Sequence, residues 1–544
     1  MHTNITRGLV SFLCTLKKKK KKKFTHTYNM EIFHYLALFI SLLFILSKYF
    51  LNKNKKYPSG PLALPIIGHL HLVAKRPLHR TLAKLANKYG PVLFLRYGSR
   101  PVVLVSSRAA VEECLTTNDI ALASRPRLIA GQHLGYNYTS LVWSSYGDHW
   151  RNTRRIIALE LFSAARLQQL LSLRLEEIHG FLRRLSKNAD YDKLQKLNFK
   201  TMFFELMLNI IMRMIAGKRY YGENVENKEE AMRFRHMVSE TFYLMGASNF
   251  ADFLPFLRWF DLQGLERRMA VAHKQRDAFM QGLIEESRER AMNKTYVNEE
   301  EMNKMESKRK QTLLDVLLEN QVHDPKYYTD QTIKGIISNL LTAGTDTSSA
   351  TMEWALGLLV NNPRVLNKAR DEIDSIVGNQ RLVEESDLTK LPYLHCVLNE
   401  TLRHYPTGPV IIHESNRDCA IDGHHVPTGT MIFLNLWAVH RDETVWDKPY
   451  EFNPERFESP EWEKDKGVKL VPFGWGRRRC PGESLAWRMV GLSLGLLIQC
   501  FEWEREGEEP VDMTEGVGLT MPRANPLQVM YRPRPVMKQV LSQL

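Results

Sequence analysis

"FGWGRRRCPG", residues 473–482, sets three arginines and three glycines around a single cysteine. A structural cysteine usually behaves as a small buried hydrophobe, so the setting of Cys480 calls for a chemical explanation. Positive charge and backbone N–H groups both stabilise a thiolate. Gly474, Gly476 and Gly482 let the backbone turn tightly and approach a flat ligand. The following "PGESLAWRMVGLSLGLL" predicts a helix with Pro481 in its first turn, and the positive end of its dipole then favours a negative sulfur. A thiolate at the tip of such a loop meets the requirements of a haem iron ligand, where sulfur donation favours O–O cleavage. Arg478 has the fork geometry that pairs a haem propionate.

Three other stretches bear on that reading. "AGTDTS", residues 343–348, lies inside an apolar helical run from Ile333 to Leu359. Gly, Thr and Asp are weaker helix formers than Ala, and a locally unfavourable cluster often marks function. The plainer alternative is that its hydroxyls bond back to their own helix. "ETLR", 400–403, puts Glu400 and Arg403 on one helix face, and "NPERF", 453–457, offers Arg456 as a third member. Alone, that pair reads as a surface salt bridge. "WRNTR", 150–154, supplies Trp150 and Arg154, a combination common on helix faces.

Phe473, Gly476, Arg478, Cys480 and Gly482 match FxxGxRxCxG, and with the three other motifs in the same order the chain resembles the cytochrome P-450 superfamily. The resemblance implies the mostly α, minor β fold of that superfamily behind an N-terminal transmembrane helix. It implies haem b with Cys480 on the iron, framed by Phe473, Gly476 and Gly482. Arg478, Trp150, Arg154 and His413 would meet the haem. Asp346 and Thr347 would form the proton-delivery pair over the oxygen-binding face, and Glu400, Arg403 and Arg456 a structural network holding the cysteine loop. Electrons would come from NADPH through a separate reductase, because no GxGxxG follows a strand. In detail, "YGDHWRNTRRI" and the tail "VDMTEGVGLTMPRANPLQVMYRPRP" resemble plant A-type enzymes, in particular the isoflavone 2′- and 3′-hydroxylase family. One departure stands out. "HYPTGPVII", 404–412, is one residue shorter than the family pattern and lacks the proline before His413, so the propionate contact of that histidine depends on how the loop folds.

The 544 residues suit one large catalytic domain, with no repeat and no Gly/Ser linker. Six cysteines form no CxxC pair, which fits a reducing compartment. Of the net charge of +15, eight charges come from Arg7 and Lys17–Lys23, leaving +7 elsewhere. No basic stripe interleaved with aromatics argues for nucleic acid. "MEIFHYLALFISLLFILSKYFL", 30–51, matches the length of a membrane-spanning helix. Lysines after it place the body in the cytosol by the positive-inside rule, at the endoplasmic reticulum. The expected divisions are therefore an upstream extension at 1–29, with Met30 as the true start, an anchor at 30–51, a basic, proline-rich hinge at 52–65, and the haem-thiolate domain at 66–544.

Within the body, residues 80–105 predict a helix and two strands, 107–400 mostly helix, 409–431 short strands and 483–504 a long apolar helix. Residues 293–311 are highly charged and read as a solvated loop or helix face. Six segments are expected to line the substrate pocket, at 125–143, 240–257, 273–281, 336–347, 407–413 and 515–520. Tyr136, Tyr138, Phe242 and Tyr243 are candidates to stack on a substrate ring, with core packing the competing role for each. Arg477–Arg479 is a candidate face for an acidic partner. The activity implied is NADPH- and O2-dependent hydroxylation of a small aromatic plant metabolite, with isoflavones or flavonoids favoured. The alternative is methylenedioxy-bridge formation or oxidative coupling on a lignan, alkaloid or related phenolic. A reductase-independent isomerase or dehydratase fits less well, since Asp346 and Thr347 are both present, and a non-catalytic scaffold fits least.

Overall fold

A computed structural model describes residues 35–36, 38–42, 57–73, 75–187, 189–222, 228–294, 311–459, 462 and 469–544. The chain divides into two units, residues 1–57 and 58–544. In the first, residues 35–36 and 38–42 are helical and exposed. No helix among the described residues is long and apolar enough to cross a membrane. The rest of the expected anchor at 30–51, the extension at 1–29 and the hinge up to residue 56 lie outside the described residues, as do residues 295–310 of the charged stretch.

The second unit is mainly helical, with nine strands among the described residues. Helix Leu78–Tyr89 carries Lys88 in its last turn and stops at Gly90, whose φ of 113° ends the helical path. Strands β1 (Val92–Tyr97) and β2 (Arg100–Val105) follow as an antiparallel pair. β3 (Gln195–Asn198), β4 (Ile411–Glu414), β5 (Cys419–Ile421), β6 (His424–Val426), β7 (Met431–Leu434), β8 (Phe501–Glu504) and β9 (Gln528–Pro533) complete the set. The sheets run β1-β2-β7-β4, β3-β9-β8 and β5-β6. Val102–Val105 are buried throughout, the pattern of a strand covered on both faces.

Helix Asp330–Asn361 is the axis of the core, packed against helices Phe199–Ala216 and Glu483–Cys500. It is apolar around most of its circumference, as a fully enclosed helix must be. The "AGTDTS" cluster does not interrupt it. Thr342, Thr345 and Thr347 donate to the carbonyls of Ser338, Leu341 and Ala343 at 2.8, 2.8 and 2.7 Å. The back-bonding alternative is thus realised, and it satisfies those hydroxyls without breaking the helix. Gly344 permits the crossing with helix Phe199–Ala216, since a Cβ there would stand 2.9 Å from Ile211 Cδ1.

Two expectations need correction. The helix expected over 483–504 ends at Cys500, and "FEWE" forms β8 against β9, because burial alternates from Phe501 onward. Pro481 lies outside the helix, whose N-cap is Gly482.

Candidate functional site

The cysteine loop is built by two left-handed glycines. Gly474 and Gly476 have φ of 68° and 67°, and the backbone folds back so that Cys480 N–H donates to Phe473 O at 2.8 Å. A Cβ at Gly476 would meet Leu115 O at 2.7 Å and Asp119 Oδ1 at 2.6 Å, so glycine is required there by space as well as by conformation. Cys480 faces a cavity of about 480 Å³. Phe473, Cys480 and Gly482 of the loop line it together with Ala343, Gly344 and Thr347 of the long helix. Ile211, Met214, Ile215 and Leu340 supply apolar lining.

The three arginines do not surround the thiol. Arg477 pairs with Asp119 at 2.6 Å, and Arg479 with Glu483 at 2.6 Å. Both guanidiniums of the expected acidic-partner face are therefore already engaged. Arg478 turns inward, donating to the carbonyls of Ala123 at 2.6 Å and Ser144 at 2.6 Å. Burial pushes the Cys480 thiol up, while a hydrogen bond from the Gly482 backbone and the charge of Arg154 act against it. Burial is the larger influence on the thiol, and a bound metal cation would favour its thiolate form.

Arg125 joins Arg478 at the cavity edge with His413. Burial lowers Arg125 to about 10, and burial with repulsion from Arg125 and Arg154 lowers Arg478 to about 9. Among the described residues neither forms an ion pair, and Arg125 Nε is buried without a partner. The ring of Trp150 lies 4.6 Å from the Arg478 guanidinium, and its buried Nε1 is also unpartnered. Buried cations without an anion are expensive, so this edge fits a ligand carrying carboxylates. A thiol on one wall and a carboxylate-seeking edge together fit haem and its propionates. Arg154 is half-buried and sits within the field of Cys480.

The shortened loop still seats His413. It lies in β4, buried, and its Nδ1–H donates to Leu122 O at 2.6 Å. Burial and the nearby Arg125 hold its pKa well below the ordinary value. Thr407, Gly408 and Val410 of the same loop line the cavity.

Behind the loop, Glu400 receives two bonds from Arg403, at 2.7 and 2.8 Å, and one from Arg456 Nε at 3.1 Å. This is no surface pair: the Glu400 and Arg403 side chains are fully buried. Arg403 also donates to His440 O at 2.8 Å, and His440 Nε2 accepts from Val471 N–H at 3.1 Å, two residues before Phe473. The network therefore reaches the cysteine loop through His440.

Asp346 stands apart from Thr347. Its Oδ2 accepts from Thr520 Oγ1 at 2.6 Å, and Thr520 lines the cavity. Burial raises the Asp346 carboxyl, opposed by Thr520 and by Lys200. Of the candidate ring-stacking residues, none lines the cavity. Tyr136 is buried, Tyr243 is largely exposed and Phe242 packs on the core. The segment 273–281 contributes nothing to this cavity; His273 and Asp277 line a separate polar cleft with Lys334. Sequence reasoning missed Arg125, whose only signal is an arginine directly after the apolar run "IALAS", and Ile211–Ile215, which read as ordinary core helix.

This geometry fits a haem-thiolate enzyme, and comparison with known proteins gives that class. Residues 58–529 match the family model for Cytochrome P450, and the chain belongs to that family. It is a haem-thiolate monooxygenase. Among plant relatives, it is 49% identical to Cytochrome P450 81Q32 of Catharanthus roseus over 94% of this chain and 98% of the relative. It is 48% identical to the (+)-piperitol/(+)-sesamin synthase CYP81Q2 of Sesamum radiatum over 90% and 92%. It is 44% identical to the isoflavone 3′-hydroxylase of Medicago truncatula over 94% and 99%. A zebrafish cytochrome P450 solved with progesterone shares the fold, with a TM-score of 0.70 at 24% identity, covering 85% of this chain and all of the other.

Proposed function

We propose that this enzyme hydroxylates a small aromatic plant metabolite of the isoflavone or flavonoid class, using O2 and electrons passed from NADPH by a separate reductase. The observation that carries the reading is the cavity itself, lined by Cys480, Thr347, Arg125 and Arg478 and by mainly apolar side chains. Relatives named isoflavone 2′- and 3′-hydroxylases support the substrate class.

Cys480 would hold the haem iron, and Arg478, Arg125, Trp150 and His413 the propionates, with Arg154 beside the sulfur. Phe473, Gly476 and Gly482 shape the loop around it. When bound, the thiolate-ligated haem supplies the activation of dioxygen. Ile211, Met214, Ile215 and Leu340 exclude water and leave a flat apolar ring favourable surface to cover. Burial favours the protonated form of Asp346, whose Oδ2 is met by Thr520, and Thr347 lines the cavity. Glu400, Arg403 and Arg456 keep the loop in register.

We place the enzyme at the endoplasmic reticulum membrane, anchored by residues 30–51 with the body in the cytosol. The apolar length of that stretch supports this. So does an exposed apolar surface on the body, where Trp259 is 90% and Leu262 74% exposed beside Phe260.

A second reading is favoured by the sesame relative: closure of a methylenedioxy bridge. Product mass separates the two. Microsomes carrying the protein and a plant reductase are offered NADPH with isoflavones, flavonoids and lignans. A product heavier by one oxygen atom is the expected result. A product lighter by two hydrogens would replace hydroxylation with ring closure.

A further inference from the structure

The hydroxyl that meets Asp346 is not the one adjacent to it in sequence. Thr347 Oγ1 donates to Ala343 O within its own helix, whereas Asp346 Oδ2 is met by Thr520, 174 residues away. Thr520 lines the cavity, and Asp346 is not among the lining residues. Any path from the carboxyl into the cavity through a side-chain hydroxyl therefore runs through Thr520.

The loop that carries Thr520 is fixed along the long helix. Asn361 and Val511 exchange two hydrogen bonds, at 2.9 and 2.8 Å. Trp354 Nε1 donates to Met521 O at 2.8 Å, and Leu527 N–H donates to Glu353 Oε1 at 2.7 Å. From the other side, the backbone of Leu519 is pressed against Gly246, where a Cβ would stand 2.5 Å from Leu519 N. Thr520 is thus clamped between helix Lys228–Gly246 and helix Asp330–Asn361.

We propose that Thr520 positions Asp346 for proton supply and relays its proton into the cavity. Protonated Asp346 Oδ2 gives its hydrogen to Thr520 Oγ1, while the hydrogen already on Thr520 passes to an oxygen acceptor in the cavity; the O–H bonds on Asp346 and the original one on Thr520 break as new ones form on Thr520 and on the acceptor, and no electrons are transferred. The carboxylate then recovers a proton from solvent. The charged groups acting on Asp346 are Lys200, exposed on helix Phe199–Ala216, and Glu353, two turns further along its own helix. Burial favours the protonated acid, and the bond from Thr520 favours the carboxylate. The inference rests on the assignment of Asp346 as proton source.

The test uses the holoenzyme with Thr520→Val, Thr520→Ala, Thr520→Ser and Asp346→Asn. The carbon monoxide spectrum of the reduced protein confirms folding and haem loading, and Thr520→Ala serves where Thr520→Val fails to fold. Infrared titration follows the Asp346 carboxyl, identified by its loss in Asp346→Asn. In Thr520→Val it should titrate at higher pH, because a bond favouring the charged form is gone. Peroxide released per NADPH should rise about tenfold, the order expected for one charge-assisted hydrogen bond. Thr520→Ser should restore both. A Thr520→Val enzyme that titrates and couples like its parent overturns the proposal. If Asp346→Asn uncouples and Thr520→Val does not, the relay alone has failed. If Asp346→Asn leaves coupling intact, the acid assignment has failed with it.

Discussion

Cys480→Ala is expected to abolish turnover, lowering the rate by about a thousandfold or more, equivalent to the loss of ~4 kcal/mol of transition-state stabilisation. The reason is the singular position of this sulfur. Among the described residues it is the cysteine that lines the cavity with Thr347, whereas Cys114, Cys396 and Cys500 are buried and Cys419 half-buried, none of them on that cavity. The check is spectroscopic as well as kinetic. The reduced, carbon monoxide-bound alanine variant should lose the absorption signature of thiolate ligation. Cys480→Ser keeps the size of the side chain and should lose the same signature. Retention of turnover and signature by Cys480→Ala would remove the ligand assignment.

Arg403→Ala is expected to leave little folded, haem-containing protein, at a cost of about 3–5 kcal/mol for uncovering one half of a buried ion pair. Arg403 also bonds the carbonyls of His440 and Pro449 at 2.8 Å each, so the variant strands acceptors as well as the Glu400 carboxylate. Chemical denaturation and haem content measure the effect, and near-normal values of both would show the network to be dispensable. The same carboxylate makes an acid limb. Burial alone would raise its pKa, but hydrogen bonds from Arg403 and His404 outweigh burial and hold Glu400 at about 2, against an ordinary 4.5. A group depressed in the folded state stabilises above its unfolded pKa. Its contribution, of order 3 kcal/mol, is therefore complete above about pH 5 and lost as pH falls towards 2. Glu400→Gln should flatten that limb while lowering stability at neutral pH.

Short-range order was legible in the chain because it is set by local chemistry. Left-handed glycines beside Cys480, the i, i+3 spacing of Glu400 and Arg403, and the stop at Gly90 are each dictated within a few residues. Where helix gives way to strand at Cys500–Phe501 was not legible, because a short apolar run serves either period until a partner strand is supplied, here β9. The "RRR" run illustrates the same limit. Three identical charges side by side in sequence acquire three fates, two in surface ion pairs with Asp119 and Glu483 and one in the cavity edge.

From the residues alone the family was legible, and so were the cysteine, acid and threonine proposed to act in it. It took the tertiary structure to show that Asp346 is bonded to Thr520 rather than Thr347, that Arg125 stands with Arg478 and His413, and that Ile211, Met214 and Ile215 rather than the tyrosines line the cavity. Those contacts join residues 65 to 353 positions apart, and a hydrogen bond or a cavity wall is fixed by distance in space, about which spacing along the chain carries no information once the backbone has turned.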